Sequence, residues 1–104
     1  MQRDELLRRV KSALEEAFPK RLRGVILYGS EVRGEADPDS DIDLLVLLES
    51  PVDEPRDWWT SMDALYPLVL EHGRPIHPKP VDVDHYEAQA WPLYRNVRRE
   101  GVAL

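Results

Sequence analysis

The 104-residue sequence contains no cysteine, which excludes a disulfide framework, a thiolate metal site and a cysteine nucleophile. It also lacks any long apolar run. The longest, Leu44 to Leu48, is far too short to cross a bilayer. Residues 1–20 alternate charged and apolar groups and carry no continuous signal-peptide core. Positive charge is in deficit, with 14 Lys and Arg against 20 Asp and Glu and a formal net charge of −6. Such a chain is poorly suited to tracking a phosphate backbone by counterion release, so DNA or RNA is not an expected partner. A nucleotide held through metal ions remains compatible, because the ions reverse the local charge logic. The expectation is a soluble, cytoplasmic, single domain over residues 1–104 that neither spans nor binds a membrane.

What is present is apolar periodicity. Leu6, Leu7, Val10, Leu14, Ala17 and Phe18 recur at helical spacing between Asp4 and Phe18, and Pro19 stops that helix. Residues 24–28 read as a short buried strand ended by Gly29-Ser30, residues 31–34 as one helical turn, and residues 35–40 as a polar loop. Ile42 to Leu48 is the clearest strand. Arg56 to Glu71 reads as a helix burying Trp59, Met62, Leu65, Leu68 and Val69, with Pro67 expected to kink or split it. Residues 76–83 form a poorer strand in which Pro78 and Pro80 both lack an N–H, which places it at a sheet edge. Asp84 to Glu100 closes as a helix bent at Pro92 and capped by Gly101. The predicted fold is α/β of the α+β type: a small mixed sheet of about three strands flanked by about four helices.

The chemistry concentrates in Gly29-Ser30, ten intervening residues, and Asp41-Ile42-Asp43. On a pleated strand Asp41 and Asp43 share a face, roughly 7 Å apart. At that separation two carboxylates repel by about 2 kcal/mol at an effective dielectric of 20. A divalent cation relieves that repulsion, and Mg2+ is commonly held by one or two carboxylates plus substrate phosphates. Gly29 lets the backbone approach a ligand, Ser30 adds a hydroxyl, and Arg33 lies one turn on with a charge suited to a triphosphate. Each half of the motif alone is commonplace as a turn or a cap. The four fixed residues together arise by chance in about one sequence in a thousand. An EF-hand built on Asp37, Asp39, Asp41 and Asp43 fails, because Ile42 and Leu48 stand where that loop needs Gly and Glu.

This pattern resembles the signature of the DNA polymerase β-like nucleotidyltransferase superfamily. With Arg33-Gly34 and Ser40-Asp41-Ile42-Asp43-Leu44, the short chain looks like the minimal nucleotidyltransferases that are paired with HEPN-domain proteins as toxin–antitoxin systems. The resemblance implies a polymerase β palm-like fold and two-metal transfer of a nucleoside monophosphate, AMP from ATP. Asp41 and Asp43 would be catalytic metal ligands for two Mg2+ ions, and Gly29, Ser30 and Arg33 would hold the nucleotide. The acceptor would be a hydroxyl on a HEPN-type partner protein. The family pattern has a third acid on a neighbouring strand. His77 stands at the comparable place, and Asp82 and Asp84 are the substitutes on offer, with Asp82 taken as the metal ligand and a cap or turn as the competing role for both.

His72 and His77 lack a metal-ligand set and read as surface or packing residues. Most of the rings of Trp58, Trp59, Tyr66, Trp91 and Tyr94 are expected in or beside the core, although the adjacent Trp58 and Trp59 cannot both face it. An exposed tryptophan would suit a partner chain or a second copy. The alternative to an enzyme is an antitoxin subunit with an eroded site that neutralises its partner by contact.

Overall fold

The computed structural model describes residues 2–34, 37 and 40–104. Most of the expected 35–40 loop lies outside the described residues. The order is α1 (Arg3–Ala17), β1 (Leu22–Tyr28), α2 (Ser30–Arg33), β2 (Ile42–Leu48), α3 (Glu54–His72), β3 (Ile76–Asp82), α4 (Val83–Glu87), α5 (Pro92–Glu100) and β4 (Val102–Ala103). The strands form one sheet in the order β3-β2-β1-β4. β1 is antiparallel to both β2 and β4, whereas β3 runs parallel to β2 with α3 as the crossover. No helix among the described residues is long and apolar enough to cross a membrane.

The two faces of β2 explain the layering. Ile42, Leu44, Val46 and Leu48 point to one face and join Leu6, Val10 and Leu14 of α1 and Leu65 and Leu68 of α3. Leu45 and Leu47 point to the other and pack with Val81, Tyr86, Tyr94 and Val97 under α4 and α5. β2 is therefore apolar on both sides, as a sheet-centre strand must be. The one polar residue within it is Asp43, on the second face at the end where the strand begins.

Several boundaries differ from expectation for identifiable reasons. The closing helix is broken rather than bent. Gln89 adopts φ 53°, and Pro92 sits at the first turn of α5, where its missing N–H costs nothing. α3 is not split by Pro67, which lies on its exposed side, where water can solvate the carbonyl left without a donor. Its buried residues are Asp57, Ser61, Leu65 and Leu68, so Trp59 faces solvent at 62% exposure. The periodicity misled because a charged residue leads the buried stripe. Asp57 is buried by a two-bond pairing with Arg21, both contacts at 2.9 Å. Trp91 and Tyr66 are exposed as well, and of the late aromatics named above Tyr94 alone is buried. β3 is an edge strand, as its prolines required.

The fourth strand depends on close backbone approach. A Cβ on Gly101 would stand 2.6 Å from both Ile26 Cγ2 and the Val97 carbonyl oxygen. Gly101→Ala is expected to destabilise the fold by about 2 kcal/mol, read as a lowered denaturant midpoint with unchanged slope.

Candidate functional site

β1 ends where β2 begins, so the antiparallel register sets Tyr28 beside Asp43, and the parallel register sets His77 on Asp43's other side. Tyr28, Asp43 and His77 thus form a row across three strands on one face of the sheet. Asp41 lies two residues before Asp43 on the same face, with Oδ2 2.9 Å from His77 Nε2. An ionised carboxylate only accepts, so Nε2 carries the hydrogen. His77 lies at the surface, one of the two roles its sequence context suggested, and its ring there bonds the first acid of the motif.

Gly29 joins the two halves of the motif physically. It turns the chain from β1 into α2 at φ +80°, and a Cβ there would stand 2.8 Å from Asp43 Oδ2. The glycine therefore serves both the left-handed turn and the close approach of the acid. Ser30 opens α2 immediately after it. The first N–H groups of a helix have no partner within it and are available to a ligand. Arg33, at the other end of α2, is near enough for its charge to act on Asp43. Gly29→Ala is expected to destabilise the fold by about 1–3 kcal/mol, read as a lowered denaturant midpoint, because it strains the turn and displaces the Asp43 carboxylate.

Burial holds the Asp43 carboxyl above the usual carboxylate range; His77 and Arg33 oppose that shift, and Asp41 adds to it. The same burial, with a smaller contribution from Asp43, raises the Tyr28 phenol. A partly buried acid beside a second acid is a place where a cation stabilises the charged form.

The short α2 is fixed by a cluster of charges. Glu31 is buried and accepts from Arg74 Nη2 at 2.7 Å and Nη1 at 3.3 Å, and from Arg3 Nε at 2.6 Å. Arg74 Nε also donates to the Ser40 carbonyl at 2.9 Å. One guanidinium thus ties the Gly29-Ser30 turn to the backbone that leads into Asp41 and Asp43, which makes Arg74 a positioning residue. Neither Arg74 nor Glu31 was expected from the sequence. A charged residue after a helix-ending glycine carries no signal until the fold brings it against α2.

Asp82 is not brought to this site. It pairs with Leu48 at the far end of β3, five residues and about 16 Å along the strand from His77. Its carboxylate caps α4 by accepting from the Asp84 N–H at 2.8 Å. The expected substitute for a third acid is therefore a helix cap, and Asp84 is not the cap itself but the residue whose N–H is capped. Among the described residues, no three carboxylate or imidazole groups converge as a ready-made metal cage. The donor set of Asp41 and Asp43 still fits one hard cation that completes its shell with phosphate oxygens and water.

Comparison with known proteins agrees with this geometry. Residues 7–99 match the family profile described as nucleotidyltransferase domain. A candidate protein adenylyltransferase of Methanocaldococcus jannaschii, MJ0604, is 26% identical over 107 aligned positions, which cover 100% of this chain and 99% of the relative. Among solved structures, the fold resembles that of spectinomycin adenyltransferase AAD(9) from Enterococcus faecialis, crystallised with ATP and spectinomycin. The TM-score is 0.57 with 23% identity, covering 78% of this chain and 34% of that one. The present chain thus spans about a third of that structure, and the likeness concerns the fold.

Proposed function

The chain belongs to the nucleotidyltransferase domain family and is a nucleotidyltransferase enzyme, and from that premise we propose that it transfers AMP from ATP to a hydroxyl on a separate acceptor chain. The observation that carries the reading is the approach of Gly29 to Asp43, which brings the turn suited to phosphate against the acid suited to a cation. In this reading Gly29, Ser30 and Arg33 hold the triphosphate, and Asp41 and Asp43 hold Mg2+ together with it. When bound, the ion supplies charge stabilisation at the phosphate oxygens. The acceptor oxygen forms a bond to the α-phosphorus, the bond from that phosphorus to the bridging oxygen breaks, and pyrophosphate leaves. The hydroxyl proton passes to solvent or to a nearby carboxylate.

The acceptor we favour is a HEPN-type partner protein in a toxin–antitoxin pair, as the minimal members of the superfamily imply. Two features support a macromolecular acceptor. The candidate adenylyltransferase of M. jannaschii carries protein as its substrate in its name. Trp58 and Trp59, with ring centroids 4.9 Å apart, lie on the exposed side of α3.

A second reading, a binding subunit that neutralises its partner by contact, is favoured by one observation: His77 stands beside Asp43 where the family pattern has an acid. Incubation of the chain and a HEPN partner with α-labelled ATP and Mg2+ separates the two. Label on the partner, with the mass gain of one AMP, supports transfer. Complex formation and neutralisation without label support the binding subunit.

A further inference from the structure

Ten residues separate the two halves of the motif along the chain, and α2 has little apolar packing to hold it in place. It is four residues long and has no buried residue. Val32, its one apolar side chain, is only partly buried against the larger core cluster. A single turn gains little from its own hydrogen bonds. Its buried contact is ionic: the side chains of Glu31 and Arg74 are 5% and 9% exposed and meet at 2.7 Å.

Arg74 holds the other half with the same side chain. Its Nε donates to the Ser40 carbonyl, immediately before Asp41, at 2.9 Å. On the far side of Asp41, the Ile42 N–H donates to the Pro75 carbonyl, also at 2.9 Å. Residues 74 and 75 thus grip the backbone on both sides of the first acid, while the tip of the guanidinium grips α2. Arg3 reaches the same Glu31 carboxylate through Nε at 2.6 Å, a contact that joins α2 to α1 rather than to the acids.

We propose that Arg74 is a positioning residue that couples the two halves of the site, so that triphosphate binding at α2 and Mg2+ binding at Asp41 and Asp43 depend on each other. The proposal rests on the nucleotidyltransferase reading above and deepens it by naming the group that makes the halves act as one. A Mg2+ ion shared between carboxylates and phosphate demands near-octahedral ligands at ~2.0–2.1 Å. A shift of about 1 Å between α2 and Asp41 therefore breaks the bridge, whereas either half alone tolerates it. The planar fork of arginine supplies donors to Glu31 and Ser40 at once. A lysine ammonium keeps the charge beside Glu31 but is a single point that does not span both.

The test is calorimetric titration with ATP, with and without Mg2+, of wild type, Arg74→Lys and Arg3→Lys, each well below its thermal midpoint. In the wild type Mg2+ is expected to strengthen ATP binding. In Arg74→Lys that increment should fall about tenfold, with metal-free ATP affinity within about threefold of wild type, and Arg3→Lys should keep both. Glu31→Gln, which cuts the link at its α2 end, should lose the increment too, and it decides the matter if Arg74→Lys does not fold. An increment retained in the folded Arg74 or Glu31 variant, or lost equally in Arg3→Lys, reduces the cluster to a structural ion pair. That result overturns the coupling and leaves the nucleotidyltransferase reading standing. Wild-type ATP binding that is unchanged by Mg2+ overturns the site reading and the coupling together.

Discussion

Asp43→Asn is expected to lower nucleotidyl transfer by about 10³-fold, on the order of 4 kcal/mol in the transition state, with the fold intact. The fold survives because the substitution relieves the sheet. It replaces a partly buried acid, whose burial works against its charged form, with a neutral side chain of the same shape. Activity fails because the amide carries no charge to hold a cation against the triphosphate. Asp41→Asn should be damaging as well, with a smaller loss, since Asp41 is exposed and shares its carboxylate with His77. Rates of label transfer with matched thermal midpoints are the measurement. A variant that retained a tenth of the wild-type rate would contradict the assignment of Asp43.

The largest expected effect on stability lies elsewhere, at the buried pair of Arg21 and Asp57. Asp57 is 2% exposed and Arg21 is 29% exposed by their side chains. The two partners are therefore not equivalent. Without Asp57, Arg21 still donates to the Pro51 carbonyl at 2.7 Å and reaches solvent. Without Arg21, Asp57 keeps the Asp53 N–H at 3.1 Å as its remaining donor from outside its own helix, and its charge stays buried. Arg21→Met is accordingly expected to cost about 3–4 kcal/mol at neutral pH, and Asp57→Asn distinctly less. Against a total stability of about 5–15 kcal/mol for a domain of this kind, the first loss is severe.

The pH dependence should separate the two variants further. In the wild type the hydrogen bonds from Arg21 hold the Asp57 carboxyl below its ordinary 3.8. The unfolded chain then binds the proton more readily, so this contribution is present above about pH 4 and is lost as pH falls through the depressed native value. Glu31, held below its ordinary 4.5 chiefly by Arg74, acts in the same direction. In Arg21→Met, burial unopposed by the guanidinium should push the Asp57 carboxyl up instead. The gap between variant and wild type should therefore be widest near pH 7 and narrow toward pH 3. Urea titrations at intervals across that range measure it, and a gap independent of pH would show that the ion pair contributes little.

Much of the architecture is legible in the sequence because β2 and α1 obey simple periods. Ile42 to Leu48 is apolar on both faces and lies at the centre of the sheet, and the stripe from Leu6 to Leu14 packs against it. The motif was legible for the same reason: Gly29-Ser30 and Asp41 to Asp43 fall at strand ends, where spacing along the chain translates into position. What failed was information carried by register and by charge pairing. Asp82 and His77 lie on one strand, and only the parallel offset that sets His77 beside Asp43 decides which reaches the motif. Asp57 leads the buried face of α3 because Arg21 stands opposite it, a fact absent from any helical period. Val102 and Ala103 are too short a segment to declare themselves as a strand without β1 beside them.

The exposed aromatics belong with the second kind of miss. Trp59 falls at helical spacing with Met62 and Leu65, and Trp91 lies in the closing helical segment, yet the core is complete without either ring. Their exposure sets two large rings at the surface, where enrichment at interfaces is the usual physical reason for such residues.

The most direct measurement is calorimetric titration of the wild-type chain and an Asp41→Asn/Asp43→Asn double variant with ATP, in the presence and absence of Mg2+. The expected result is ATP binding by the wild type that strengthens with Mg2+, and loss of that metal-dependent increment in the double variant. Binding that is the same with and without Mg2+, or that survives both substitutions unchanged, would contradict a nucleotide site built on Gly29, Ser30, Asp41 and Asp43.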